Sequence, residues 1–191
     1  MTAAVRGLVL AGGDSRRMGT DKAGLELDGS TLLERGVALL SEVVADVHVS
    51  VRDTDALRSH YVCISDSVDI RGPAAGMLSA HRLFPDEAWL VLACDMPLVS
   101  HSILSRLLEN RDPEAAATCW LGADGRPEPL CAVYDPATLA AFLRHINAGG
   151  NAGPRGWLIK QQARMLELPE STALSSANTP QEWQTLRKEH E

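Results

Sequence analysis

Short apolar runs of strand length alternate with stretches of helical spacing through the first 110 residues. No other feature narrows the fold as much, because this alternation builds βαβ units and a parallel sheet covered by helices on both faces. The run Val5 to Ala11 ends in Gly12-Gly13 and reads as a buried strand feeding a glycine loop. Thr31 and Glu34 form a capping-box pattern, and Leu33, Val37, Leu40 and Val44 follow at helical spacing. Val47, Val49 and Val51 alternate with polar residues, and Tyr61 to Ile64 is a third short strand. Gly72-Pro73 opens a helix carrying Ala74, Met77, Leu78 and His81. Trp89 to Cys94 is the clearest buried strand; it ends on Asp95, and Met96-Pro97 breaks it. Ile103, Leu104, Leu107 and Leu108 mark the next helix.

Beyond residue 110 the pattern changes. Ala115 to Leu121 and Glu128 to Tyr134 read as strands joined by a turn at Ala123-Asp124-Gly125, so an antiparallel strand is expected in an otherwise parallel sheet. Asp135 is placed to cap a helix with Pro136 at its first position and Leu139, Phe142, Leu143 and Ile146 on its inner face. Residues 147–153 are glycine-rich and expected to be mobile, and Thr179 with Glu182 forms a second capping-box pattern. Glu109 to Glu114 and Glu182 to Glu191 read as solvated faces, and Trp89 and Trp157 as packing residues, Trp157 being also a candidate to flank a second substrate. A chain of 191 residues suits one domain and can bury a full core without disulfides.

Charge and cysteine usage exclude several classes. A net charge of -7 disfavours a generic nucleic-acid binder, which needs a basic surface. No apolar run approaches the roughly 20 residues of a membrane span, and no signal-peptide pattern is visible, so no membrane partner and a cytoplasmic location are expected. Cys63, Cys94, Cys119 and Cys131 form no C-x-x-C pair and read as small hydrophobes rather than metal ligands. None of the six histidines shares the i, i+4 spacing of a helical metal site.

Ligands in such sheets bind beyond the carboxyl ends of the strands. Three polar segments fall there: the Gly12 to Lys22 loop, Asp66 and Asp95. The loop joins consecutive glycines, whose amides can face an anion at close range, to Arg16, Arg17 and Lys22. It is neither a Walker A sequence nor G-x-G-x-x-G. On the residues alone, two readings stand: a phosphate cradle, or a surface loop with solvated arginines. Asp95 is either a hard oxygen ligand for a divalent ion or the cap of a turn. Asp21 is placed to pair with Lys22.

The run from Leu10 to Lys22, Leu-Ala-Gly-Gly-x-Ser-x-Arg-Met-Gly-x-Asp-Lys, resembles the signature of the molybdenum cofactor guanylyltransferases, the MobA family of NTP-using nucleotidyltransferases. Ser65-Asp66-Ser67, Gly72-Pro73-Ala74-Ala75-Gly76, Cys94-Asp95-Met96-Pro97, Pro127-Glu128-Pro129-Leu130 and Asn178-Thr179-Pro180 extend the resemblance over nearly the whole chain. It implies a single-domain Rossmann-like three-layer α/β/α sandwich over residues 1–191, with 1–110 holding the nucleotide and 111–191 the acceptor. It implies nucleotide contacts from Leu10, Ala11, Gly12, Gly13, Ser50, Asp66 and Asp95, phosphate contacts from Lys22 and Arg17, and Mg²⁺ on Asp95. Ser50 stands where the family often has an asparagine, and Asn178 and Pro129 fall on the acceptor side. Arg17, Lys22 and Asp95 are the implied catalytic set. The implied reaction moves GMP from GTP to the terminal phosphate of molybdopterin-type molybdenum cofactor, with cofactor-delivery proteins and molybdoenzymes as partners. Transfer of a nucleotidyl group needs cations, donors and a metal rather than a protein nucleophile, and no nucleophilic triad is visible. A CTP-dependent cytidylyltransferase, a non-catalytic nucleotide-binding cofactor chaperone and a sugar-nucleotide pyrophosphorylase are the alternatives.

Overall fold

The computed structural model describes residues 3–12, 21–52, 58–169, 172–176 and 183. In chain order its elements are β1 (Val5–Leu10), β2 (Glu26–Leu27), β3 (Ser30–Thr31), α1 (Leu32–Ser41), β4 (Val47–Val51), β5 (Cys63–Ser65), α2 (Pro73–Leu83), β6 (Ala88–Ala93), α3 (His101–Glu109), β7 (Thr118–Leu121), β8 (Pro127–Tyr134), α4 (Pro136–Asn147), α5 (Pro154–Lys160) and β9 (Arg164–Leu166). A 3₁₀ turn at Lys22–Gly24 precedes β2. Seven strands form one sheet in the order β5-β4-β1-β6-β8-β7-β9, and β2 pairs with β3 in a small hairpin.

β1 pairs in parallel with both β4 and β6, β4 with β5, and β7 with β9. β8 pairs antiparallel with β6 and β7. Within this sheet β8 alone runs against the other six strands, which is the antiparallel strand expected from the turn at residues 123–125.

Successive residues of a strand point to opposite faces, and here both faces are covered. Val9, Val49, Val51, Leu90, Leu92 and Val133 pack with Leu33 and Leu40 of α1 and Ile103, Leu104 and Leu107 of α3. Leu8, Trp89, Val91, Ala132 and Tyr134 pack with Met77 and Leu78 of α2, Leu139 and Phe142 of α4, and Trp157 and Leu158 of α5. All six residues of β6 are buried, which is why that strand reads as a continuous apolar run instead of an alternating one.

The helix starts follow their local chemistry. The Thr31 hydroxyl accepts from the Glu34 amide at 3.1 Å, and the Glu34 carboxylate accepts from the Thr31 amide at 2.7 Å, so the capping box forms as read. Gly72, at φ 89°, turns the chain into α2 with Pro73 at its first position. Residues 74–81 of α2 are all buried, and Gly76 brings the helix against β4 and β1.

Two expectations are corrected. Asp135 occupies the N-cap of α4, but its side chain makes no capping hydrogen bond; it pairs with the Arg111 guanidinium, which also donates to the Ala3 carbonyl at 2.7 Å. Arg111 therefore leaves the solvated face expected of residues 109–114. Its charge enters an apolar corner, with 8% of its side chain exposed, because a carboxylate and a carbonyl meet it there. The glycine-rich stretch 147–153 delivers into α5, a helix the pattern did not reveal, with the Gly150 amide bonded to the His145 carbonyl and Gly153 to Asn151. β9 and the β2–β3 hairpin are likewise additions. The capping-box pattern at Thr179 and Glu182 lies outside the described residues.

Candidate functional site

The chain leaves β1 toward β4 on one side, while β6 lies on the other. The carboxyl ends of β1 and β6 thus flank the switch point of the sheet, where connections diverge and a crevice opens. A cavity of about 360 Å³ lies there, lined by Gly12, Lys22, Ser50, Asp66, Arg71 and Asp95 among others. Leu10 and Ala11 are also on its wall, so the three strand-end segments picked from sequence do converge.

Lys22 is set by the 3₁₀ turn, whose first free amide, that of Ala23, is taken by Asp21 Oδ1 at 3.1 Å. From there the Lys22 ammonium reaches across the cavity to Asp95 Oδ2 at 2.9 Å. Asp21 was expected to orient Lys22 by pairing with it; its Oδ2 instead takes the Arg58 guanidinium at 2.7 Å. The same Arg58 nitrogen donates to the Ala11 carbonyl at 2.7 Å, and Arg58 is only 5% exposed. One buried cation thereby ties the end of β1 to the turn that presents Lys22. Sequence reasoning missed Arg58, which lies in a polar stretch between β4 and β5 with no periodicity to signal burial.

Asp66 follows β5, and its amide donates to the Val51 carbonyl at 3.1 Å. Its Oδ1 is buried and has no hydrogen-bond partner among the described residues. Burial pushes its carboxyl above the ordinary carboxylate range, and the Arg52 charge opposes that shift. Ser50 is 4% exposed, beneath Gly76. Cys94 precedes Asp95; burial first, then the neighbouring Asp95 and Asp21 charges, push its thiol up to about 12, which keeps it a neutral thiol rather than a thiolate nucleophile at neutral pH. Cys131 is driven up by burial as well. The four cysteines are free.

Among the described residues no group of three or more His, Cys, Asp or Glu side chains could hold a metal. A single strand-end carboxylate such as Asp95 suits Mg²⁺, which keeps several waters and shares substrate phosphate oxygens rather than needing a full protein cage. Pro129 is buried in β8, its carbonyl accepting from the Tyr134 hydroxyl at 2.9 Å; its neighbour Leu130 lines the cavity instead. Trp157 is 8% exposed and stacks on Phe142 with centroids 5.2 Å apart, as a packing residue does. Gly13, Arg17 and Asn178 lie outside the described residues.

A family model described as the MobA-like NTP transferase domain matches residues 7–165. The chain is 32% identical to a molybdenum cofactor guanylyltransferase of Pseudomonas paraeruginosa, over 96% of this chain and 93% of that one. It is 33% identical to a molybdenum cofactor biosynthesis bifunctional protein of Synechocystis, over 75% of this chain but 42% of that longer protein. Its fold matches the molybdopterin-guanine dinucleotide biosynthesis protein A of Archaeoglobus fulgidus with a TM-score of 0.77 at 24% identity, over 97% and 98% of the two chains.

Proposed function

We propose that this chain, which belongs to the MobA-like NTP transferase family and is a nucleotidyltransferase, transfers GMP from GTP to the terminal phosphate of a molybdopterin-type molybdenum cofactor. The observation that carries the reading is the Lys22–Asp95 pair, held at 2.9 Å across a cavity whose wall includes the Gly12 backbone. A cation and a hard carboxylate set side by side at a sheet switch point are what a triphosphate and its divalent ion require. The names of the relatives supply the base and the acceptor.

In this reading the nucleotide is held at Leu10, Ala11, Gly12 and Gly13, the first three through the main chain. Lys22 and Arg17 meet phosphate oxygens, and Ser50 and Asp66 lie on the nucleoside side. An oxygen of the acceptor's terminal phosphate attacks the α-phosphorus of GTP, and the bond from that phosphorus to the bridging oxygen of the β-phosphate breaks. Pyrophosphate leaves with the electron pair. The attacking oxygen is already an anion, so no side chain has to remove a proton from it. The residues of the chain align two polyanions and place positive charge where the leaving oxygen gains negative charge. Mg²⁺, held by Asp95, would add to that charge neutralisation when bound. The acceptor is assigned to residues 111–191, with Asn178 and Pro129 on its side.

The test incubates purified protein with Mg²⁺, molybdenum cofactor and each NTP in turn, following pyrophosphate and the dinucleotide product. GTP alone is expected to support turnover. Turnover with CTP but not GTP overturns the base assignment, and GTP binding without any pyrophosphate release makes the protein a nucleotide-binding module instead.

A further inference from the structure

Lys22 and Asp95 meet at 2.9 Å, but they stand on separate supports. Lys22 belongs to the 3₁₀ turn before β2, and Asp95 to the loop after β6. Their spacing therefore depends on whatever joins those two supports. Three residues beyond each of them stands a leucine, Leu25 and Leu98. Both leucines pack against one small apolar cluster of Leu27, Leu32 and Trp183, separate from the two cores on the faces of the sheet.

Trp183 is the member that comes from elsewhere in the chain. Leu27 ends β2 and Leu32 opens α1, and both are tied to the Lys22 turn, since the Leu32 amide donates to the Leu25 carbonyl at 2.8 Å. Leu98 belongs to the Asp95 loop. Residues 182–191 read as a solvated face from sequence, yet Trp183 is only 9% exposed. A tryptophan ring buries about 150–250 Å², so it supplies most of what holds so small a cluster together. The Asp95 loop also has room to shift. A cavity of about 190 Å³ lies between it and α1, lined by Leu32, Gly36, Cys94, Met96, Pro97 and Val99.

We propose that Trp183 is a positioning residue for the transfer: its ring closes the cluster that joins the Lys22 turn to the Asp95 loop and so sets the spacing of cation and carboxylate. This rests on the nucleotide reading above and adds to it a residue outside the cavity, since Trp183 is not among the residues of the cavity wall. Lys22 and Asp95 act on one ligand. Slack of about 1 Å between their supports is enough to cost up to about a hundredfold in rate, and affinity suffers by the same loss of alignment.

Titration calorimetry on the full chain with GTP and Mg²⁺ tests this, read both for affinity and for the fraction of chains that bind. Trp183→Ala is expected to weaken GTP about tenfold at an unchanged binding fraction, and Trp183→Phe to stay within about threefold of wild type. Leu98→Ala loosens the same cluster from the Asp95 side and keeps the tryptophan. It should weaken GTP about threefold, and it carries the test should the alanine at position 183 fail to fold. With Lys22→Ala already in place, Trp183→Ala should cost less than about twofold more, because the arm it positions no longer reaches the ligand. The full tenfold loss in that background overturns the proposal. So does a lower binding fraction at unaltered affinity, which is what a purely structural tryptophan would give, and so do wild-type affinities in both Trp183→Ala and Leu98→Ala. Wild-type protein that binds no GTP overturns the nucleotide reading itself, and this inference with it.

Discussion

A methyl group at position 76 is the sharpest test of how α2 is seated over the cavity. A Cβ built on Gly76 meets the Ser50 Oγ at 2.0 Å, the Ser50 Cβ at 2.8 Å and the Leu10 Cδ2 at 3.2 Å. Rotating the serine moves its hydroxyl but not its Cβ. Reaching an ordinary 3.4 Å contact then requires α2 to retreat by about 0.6 Å. Residues 74–81 are all buried, so a retreat loosens packing along the whole helix. Alanine gains about 1 kcal/mol over glycine in helix propensity, whereas overpacking a close contact costs about 1–3 kcal/mol. With the Ser50 Cβ at 2.8 Å the cost falls in the upper part of that range, about 2–3 kcal/mol, so the expected balance for Gly76→Ala is a loss of about 1–2 kcal/mol, or about 2–8 °C in Tm for a chain of this size.

Urea unfolding of a double-mutant cycle isolates the contact. Ser50→Gly removes both offending atoms, at a cost of its own of up to about 1 kcal/mol in the strand. Combined with Gly76→Ala it should recover about 1–2 kcal/mol of coupling. An alanine variant as stable as wild type, or a double variant whose losses simply add, would falsify the claim that this approach fixes the helix.

Three other outcomes are expected. Asp95→Ala should keep GTP affinity within a few-fold, by calorimetry, and slow pyrophosphate release at least about a hundredfold; normal turnover would remove Asp95 from metal binding. Arg58→Met strips the buried donor from the Ala11 carbonyl and from Asp21, the latter half-exposed and so counted lightly; a loss of about 2–3 kcal/mol in chemical unfolding and a raised KM for GTP are expected, and unchanged values for both would show the clamp to be idle. Burial holds His48 and His81 below the ordinary imidazole range, the Arg6 charge adding to the effect at His48, while Asp46 and Asp86 oppose it. Their neutral forms favour the fold fully above about pH 6.5, and that contribution is lost as pH falls, because the unfolded chain takes up protons that the folded one excludes; the urea midpoint should therefore drop between about pH 7 and pH 5, and a flat or rising midpoint contradicts this.

What could be read from sequence was whatever local chemistry decides. Strands buried on both faces must be continuous apolar runs, so β1 and β6 stood out, and the capping box at Thr31 and Glu34 marked α1 because both partners are within one turn. The position of Asp135 was legible as a cap, but the use of its carboxylate was not, since Arg111 comes from a distant helix end that looks solvated in isolation. α5 spans seven residues and β9 three, too short for a period to emerge; α5 is fixed by Trp157 packing on Phe142, and β9 by pairing with β7. At the site, Lys22, Asp66 and Asp95 could be placed together because strand ends of a parallel sheet share one edge, whereas Ser50 came only from the family resemblance. Arg58 was not, because an arginine becomes a buried clamp only when a carbonyl and a carboxylate close around it.

The reversed strand explains how the later part of the chain reaches that edge. A seventh parallel strand would present its carboxyl end there and would need a crossover connection first. Instead β7 turns back through residues 122–126, closed by the Gly122 amide on the Arg126 carbonyl at 2.8 Å, and β8 starts beside the cavity. Cys131 pairs with Leu92 of β6, which places Leu130 on the cavity wall close to Asp95 and away from Asp66. Glu128, two residues earlier, anchors Arg155 of α5 at 2.8 Å on the same side. With Ser50 and Asp66 on the nucleoside side, toward the β4–β5 end of the sheet, the β8 flank of the phosphates is left to a second substrate. In-line displacement at an α-phosphorus needs the attacking oxygen opposite the departing pyrophosphate, so an acceptor on the β8 flank has to meet the α-phosphorus from the side away from the β- and γ-phosphates. On this argument changes at Leu130 should raise KM for the acceptor while leaving the affinity for GTP intact, and a loss of GTP affinity alone would place the acceptor elsewhere.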